Sequence, residues 1–153
     1  MFTPNLDHQF SGIFHNKILI ITLSVWAIAQ TLKVLLGVVL ERRFNFRWFI
    51  GTGGMPSSHA AGVTALATTV GLTYGFESGV FALAAVFALV TMFDAQGVRR
   101  ATGLQAEILN KIMDDMYFKG KIESDRLVEL IGHSPFQVFV GLALGLALAL
   151  ILY

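Results

Sequence analysis

The sequence of 153 residues contains no cysteine, and only 14% of its residues are charged. The absence of cysteine excludes disulfide bonds, thiolate metal sites and a cysteine nucleophile. Soluble domains normally carry about 25% charged residues. The low charge content, with 55% hydrophobic residues and a mean hydropathy of +0.68, therefore predicts a membrane protein. A net charge of +1 gives no basis for a nucleic-acid partner, and residues 1–17 lack the apolar run of a cleavable secretory signal.

Four apolar stretches approach the length of about 20 residues that a helix needs to cross a bilayer. They cover residues 18–40, 56–75, 78–93 and 135–153. The third reaches full length only if it continues towards Gly97. Pro56 and Pro135 stand at the first positions of two of these helices, where the missing N–H is harmless. We therefore predict an all-α integral membrane bundle of four transmembrane helices, forming one domain over residues 1–153 with residues 1–17 as a tail.

Residues 101–134, between the third and fourth spans, have a different pattern. Leu104, Ile108, Ile112 and Met116 recur every four residues, which predicts an amphipathic helix on the membrane surface. Residues 123–131 are expected to form a second short helix. Within the spans, glycine and alanine recur at helical spacing, which lets helices approach closely in lipid. This spacing allows a homodimer without requiring one.

An up-and-down bundle brings the ends of spans one and three and the starts of spans two and four to one membrane face. Most of the unusual polar residues fall at these four places: Lys33, Arg42, Arg43 and Arg47; residues 52–59; Asp94, Gln96, Arg99 and Arg100; and residues 132–135. Ten of the eleven Lys and Arg residues lie on or near this face. A Lys/Arg excess marks the cytoplasmic side. We expect the polar face to be cytoplasmic, in a bacterial inner membrane or a plastid-type membrane.

The segment before the second span combines glycines, two serines and an imidazole at a helix start, where N–H groups and the helix dipole attract anions. An ordinary capped helix is the alternative, since serine is a favoured N-cap. Lys33 lies roughly 22 Å along its helix from Ile18, so it either faces the bundle interior or extends its ammonium to the surface. Arg42, Arg43 and Arg47 could be topogenic charges, and Arg99 or Arg100 could pair with Asp94.

His59 and His133 both lie in the first turns of helices that start at the polar face. Two imidazoles beside a cationic anion site can divide phosphoryl transfer, one as nucleophile and one as proton donor. Each alone could instead be a capping residue. A metal site has less support, because the sequence has no His-x-x-x-His and no thiol, and Asp114 and Asp115 fit the wet side of a surface helix.

Two segments carry a resemblance to a known superfamily. Pro56-Ser57-Ser58-His59 and the segment from Gly132-His133-Ser134-Pro135 to Gly141 resemble the second and third motifs of the type-2 phosphatidic acid phosphatase and vanadium haloperoxidase superfamily. The chain is most similar to the short, divergent branch of that superfamily. It departs from the usual motifs in three ways: Ser58 replaces a glycine, no Arg-Pro follows Lys33, and Gln137 replaces the carboxylate that orients the nucleophilic histidine.

The resemblance implies hydrolysis of a lipid phosphate through a phosphohistidine, with no metal and no cofactor. It implies that His133 is the nucleophile and that His59 protonates the leaving group, while Asp94 could assume the orienting role. The residues expected to bind or neutralise the phosphate are Lys33, Arg42, Arg43, Gly54, Ser57, Ser58, Arg99 and Arg100. Arg99 and Arg100 compete for one role, with Arg126 as an outside candidate.

The expected function is a membrane lipid phosphatase acting on a phosphomonoester or a pyrophosphate. Phosphatidylglycerophosphate fits a cytoplasmic site best, because phospholipid precursors are made on that leaflet. The alternative is a non-catalytic membrane protein that binds anionic head groups or a protein partner, favoured by Gln137 and the missing Arg-Pro. A transporter is less well supported, because no inverted pair of broken helices is visible. Haloperoxidase chemistry has the least support.

Overall fold

The computed structural model describes residues 11–42, 54–117 and 133–153, with the backbone alone for residues 41, 98–102 and 114–117. Within these ranges the chain forms five helices of 17 or more residues and no strand, which confirms the all-α prediction. They are α1 (Lys17–Glu41), α2 (Ser58–Tyr74), α3 (Gly79–Gln96), α4 (Val98–Tyr117) and α5 (Pro135–Leu152).

Three of these helices, α1, α3 and α5, are long and apolar enough to cross a membrane. The third predicted span reaches this length because α3 continues through Asp94 to Gln96. The second, α2, has 17 residues and is about 25 Å long, at the lower limit for a bilayer crossing. The protein is an integral membrane protein, and the fourth crossing, by α2, stays a prediction.

Polar caps determine where the apolar helices begin. The side chains of Asn16, Ser57, Ser78 and Ser134 each accept the backbone N–H three residues further on, which satisfies one of the free donors of the first helical turn. Gly75, with a φ of 89°, ends α2 in a conformation that favours glycine. The helices therefore start and stop where short polar or glycine residues interrupt the apolar runs.

The helix α2 lies at the centre, packed against α1, α3 and α5. It is rich in small residues, and Ala60, Ala61 and Ala65 are fully buried. A Cβ added at Gly141 of α5 would overlap the Ser57 carbonyl oxygen, and one at Gly145 would overlap that of Ala61. Both pairs advance by four residues in the same direction, so α2 and α5 are parallel and begin at the same end of the bundle.

We expect Gly145→Ala to lower the free energy of unfolding by about 1–3 kcal/mol, the usual effect of overpacking. The added Cβ would overlap the Ala61 carbonyl oxygen and lie 2.9 Å from its Cα, both backbone atoms that cannot rotate away. Unfolding in detergent, followed by circular dichroism, measures the change. The control is Gly79→Ala, because a Cβ there meets no atom within 4 Å. Equal stability of the two variants would contradict the close approach of α2 and α5.

The amphipathic helix α4 begins at Val98, directly after Gly97 and three residues before the predicted surface segment. Gly103, Ala106 and Asn110 form its buried face. Leu104 and Ile108 are 52% and 57% exposed, as expected for side chains in contact with lipid. The surface position of α4 stays a prediction, and the predicted helix over residues 123–131 lies outside the described residues.

Candidate active site

Three distant segments of the chain are joined by backbone hydrogen bonds at one end of the bundle. The Ser57 N–H, at the start of α2, donates to the Gln137 carbonyl in the first turn of α5 at 3.2 Å. The His133 N–H donates to the carbonyl of Ala95, near the end of α3, also at 3.2 Å. These bonds hold the start of α2, the start of α5 and the end of α3 together.

The two imidazoles singled out in the sequence are neighbours at this end. The ring centroids of His59 and His133 are 6.2 Å apart and the ring planes are inclined by 61°. His133 is 1% exposed, and His59 is half-buried at the second position of α2. At this separation the two rings are close enough for one small group to lie against both.

Gln137 fixes the protonation pattern of the His133 ring. Its side-chain oxygen Oε1 accepts the Ser134 N–H at 3.1 Å, within the capping box of α5. The same oxygen lies 3.3 Å from Nδ1 of His133. A backbone N–H can only donate, so the atom facing it is the amide oxygen, and Nδ1 has to carry the proton that this oxygen accepts. In the neutral ring, the other nitrogen, Nε2, then carries the lone pair.

Two helix N-termini point to the same place. Because α2 and α5 are parallel and adjacent, the positive ends of both helix dipoles lie beside the imidazole pair. The N-cap Ser57 is fully buried and Ser58 is 2% exposed. Ser57 Oγ accepts the Ala60 N–H at 3.3 Å, which leaves its hydroxyl hydrogen for another acceptor. Donors and dipoles in this arrangement favour an anion.

Lys33 supplies a cation from the apolar part of α1. The side chain is 7% exposed, so it faces the bundle interior and does not extend into lipid. A Cβ at Gly54 would lie 3.3 Å from both Cγ and Cδ of Lys33, and Gly54 has a φ of 85°. Glycine therefore serves two needs, a left-handed backbone and room for the lysine stem. The contact places the lysine stem against the turn that leads into α2.

The arginines at the end of α1 are not brought to the imidazole pair by any described contact. Arg42 is the C-cap of α1, in a left-handed conformation with a φ of 51°, and its side chain is exposed. It follows Lys33 by nine residues, about 13 Å along the helix axis. Arg43 and Arg47 lie outside the described residues.

The remaining predicted residues lie around the junction of α3 and α4. Asp94 is exposed, one residue before the Ala95 carbonyl that holds His133. The backbone of Arg99 and Arg100 forms the first turn of α4, and their side chains lie outside what the structure describes, as does Arg126. The roles predicted for these residues stay predictions.

Comparison with known proteins identifies the family. A model described as the Divergent PAP2 family matches residues 14–148, which is most of the chain. The chain belongs to this family. It is 41% identical over 145 residues to the uncharacterized membrane protein YuiD of Bacillus subtilis (strain 168), a match covering 88% of this chain and 92% of that protein. No solved structure matches the chain at a significant level.

The sequence contained no indication of Ala95 as a member of the site in this Divergent PAP2 chain, and it indicated Gln137 only as the replacement for an orienting carboxylate. The Ser134-x-x-Gln137 spacing is a capping-box signature that would have placed the Gln137 amide back against the helix start, beside His133. Ala95 contributes only its carbonyl, and any residue type could do so. Its role therefore leaves no signal in the sequence.

The described residues contain no group of three His, Asp or Glu side chains arranged to hold a metal ion. The groups that these residues do offer are the imidazoles of His133 and His59, the buried side chain of Lys33, and the N-termini of α2 and α5. This set suits nucleophilic attack on a phosphate with proton transfer to the leaving oxygen.

Proposed function

We propose that this protein is a membrane lipid phosphatase that hydrolyses a phosphomonoester or a pyrophosphate of a lipid through a phosphohistidine, without metal. The main support is the pairing of His59 and His133, 6.2 Å apart, at the N-termini of two parallel helices. Membership of the Divergent PAP2 family is consistent with this chemistry.

The first chemical step transfers the phosphoryl group to His133. Nε2 attacks the phosphorus while Gln137 holds the Nδ1 proton, and the bond from phosphorus to the lipid oxygen breaks. His59, in its protonated form, donates a proton to that leaving oxygen, so the lipid departs with a free hydroxyl group or, from a pyrophosphate, as a lipid monophosphate. The phosphoryl group remains bonded to Nε2 of His133.

The second step releases phosphate. Neutral His59 removes a proton from a water molecule, which attacks the phosphorus as the P–N bond breaks and returns His133 to its starting state. Negative charge builds on the phosphoryl oxygens in both steps. The groups proposed to stabilise it are Lys33, the Ser57 and Ser58 hydroxyls and the backbone around Gly54.

Phosphatidylglycerophosphate is the substrate that we propose first. The Lys and Arg excess at the polar face favours a cytoplasmic site, and phospholipid precursors are made on that leaflet. Phosphatidate and polyprenyl pyrophosphates carry the same reactive group, so the site chemistry admits them as well.

Phosphate release from purified protein in EDTA tests the proposal. We expect release from at least one of phosphatidylglycerophosphate, phosphatidate and undecaprenyl pyrophosphate, and inhibition by vanadate, which takes the geometry of the transferring phosphoryl group. Phosphatidylcholine, a phosphodiester, is the control lipid and should yield none. Absence of phosphate release from all three substrates would favour a non-catalytic protein that binds anionic head groups, the alternative supported by the neutral Gln137.

Gln137 gives a second test of the chemistry. We expect Gln137→Leu to lower kcat by about 10²-fold or more with little change in KM, because Nδ1 loses its acceptor and the wrong tautomer becomes populated. Gln137→Glu keeps an acceptor and adds a charge that balances an imidazolium, so it should match or exceed wild-type activity. Steady-state kinetics over a range of pH measure both effects.

The matched control for Gln137 is Ser134→Ala. It removes the other half of the capping box, the bond from the Gln137 N–H to Ser134 Oγ at 3.3 Å, and leaves the contact with His133 in place. We expect a stability loss of about 1 kcal/mol with kcat nearly unchanged. An equal loss of kcat in Ser134→Ala and Gln137→Leu would show that Gln137 acts through the helix cap alone.

A further inference from the structure

An apolar groove runs between α3 and α5, because α3 packs against α2 and makes little contact with α5. Its volume is about 330 Å³, within the range of small-molecule sites. Met92 of α3 and Val138 of α5 line its middle. The groove is separate from the imidazole pair but adjoins it.

One end of the groove, which we call the upper end, lies beside the candidate active site. Gln96 and Pro135 line this end. Gln96 follows Ala95, whose carbonyl accepts the His133 N–H, and Pro135 is the second residue after His133. From this end the groove extends about 10 Å to Leu89 and Leu142. Leu89 lies seven residues before Gln96 on α3, and Leu142 lies seven residues after Pro135 on α5.

The shape and lining define the chemistry of an occupant. Gln96 is the single polar side chain among the lining residues. Phe93 and Phe139 also line the groove, and at 71% and 67% exposed they face outwards, where the bilayer surrounds the protein. An occupant has to be apolar and elongated, and has to enter sideways from the membrane. If the occupant also reaches the active site, its polar group has to lie at the end of the groove lined by Gln96 and Pro135.

We infer that the groove between α3 and α5 holds one acyl chain of the lipid phosphate substrate, with the head group at His59 and His133. The inference rests on the proposed function and adds a chain-binding subsite to it. It predicts that the enzyme discriminates between lipids by the part of the acyl chain nearest the head group. It also predicts that the substrate enters the site laterally from the membrane.

Photo-crosslinking tests occupancy without requiring turnover. Phosphatidate with a diazirine in the upper part of one acyl chain is bound to the full-length protein in detergent and illuminated, and the labelled peptides are mapped by mass spectrometry. We expect labels within residues 89–96 and 135–142, with at least a tenfold reduction by excess unlabelled phosphatidate and little reduction by excess phosphatidylcholine. Labelling elsewhere, or equal reduction by both competitors, would mean bulk lipid fills the groove and would overturn the inference.

Chain-length selectivity provides an independent test. Met92→Trp fills the middle of the groove, so we expect the ratio of kcat/KM for dioleoyl phosphatidate to kcat/KM for dihexanoyl phosphatidate to fall at least tenfold. The control is Leu83→Trp on the same helix, where the native leucine is 72% exposed and does not line the groove. Retained activity on the short-chain lipid shows that the variant folds.

The possible failures are distinguishable. An unchanged ratio of long-chain to short-chain activity in Met92→Trp, or an equal change in Leu83→Trp, overturns the acyl-chain subsite and leaves the phosphatase intact. If Met92→Trp loses both activities, the crosslinking experiment on the wild-type protein determines whether the groove holds an acyl chain. Absence of phosphate release by the wild type from any lipid overturns the proposed function instead.

Discussion

Replacing His133 with alanine is expected to reduce phosphate release by at least about 10³-fold, because the variant loses the atom that bonds to phosphorus. His133 is buried, its backbone N–H is tied to Ala95, and its Nδ1 faces Gln137 at 3.3 Å. The contact with Gln137 orients the ring, with Nε2 as the proposed nucleophilic atom. Phosphate release from the best lipid of the panel, measured with enzyme in excess, separates chemistry from product release.

The control for His133→Ala is His15→Ala, because His15 is exposed and its described hydrogen bond is a local one to Ser11. This variant should keep wild-type activity. Circular dichroism has to show that His133→Ala retains its helices, since the backbone bond to Ala95 does not need the side chain. Retained turnover in a folded His133→Ala protein would remove the proposed nucleophile.

Lys33→Met is expected to lower activity by about 10²-fold or more, because the site loses the buried cation that offsets charge on the phosphoryl oxygens. Methionine keeps an unbranched stem of similar volume against Gly54, so the variant should retain its helices. Steady-state kinetics measure the loss of activity, and circular dichroism checks that the variant is folded.

Lys17→Met provides the matched comparison for Lys33→Met. Lys17 is exposed at the start of the same helix, with its ammonium 3.9 Å from the centre of the Tyr153 ring. This contact is far from the imidazole pair, so activity should remain near the wild-type value. If Lys33→Met kept full activity, the buried lysine would be a structural feature and not part of the phosphate site.

The helices were predictable because lipid imposes a simple rule on sequence. Long apolar runs interrupted by serine caps and glycines mark α1, α3 and α5 to within a few residues, and Pro135 marks the first position of α5. The second span was predicted to begin at Pro56, and α2 begins two residues later at Ser58, because Ser57 is its N-cap. The apolar periodicity of α4 predicted a helix but not that Gly103, Ala106 and Asn110 would form its buried face.

The pairing of His59 and His133 could also be predicted, because alternating helices must bring the starts of the second and fourth spans to one end. The tertiary details could not. Backbone bonds such as that from Ser57 to Gln137 depend on how closely Gly141 lets two helices approach, and carbonyl groups carry no sequence signature. The roles of the arginines could not be predicted from the sequence. Arginine is also enriched on the cytoplasmic side of membrane proteins because it determines their topology, so its position at the polar face does not indicate a role in the site.

Trapping of the phosphorylated enzyme tests the central proposal most directly. Wild-type protein is mixed with lipid substrate carrying a labelled phosphate, quenched in alkali, where phosphohistidine survives, and digested for mass spectrometry. The predicted result is a phosphoryl group on His133 that forms and decays at rates compatible with turnover and is absent from His133→Ala. Turnover at the normal rate with the phosphoryl group on another residue, or with none on the protein, would contradict it.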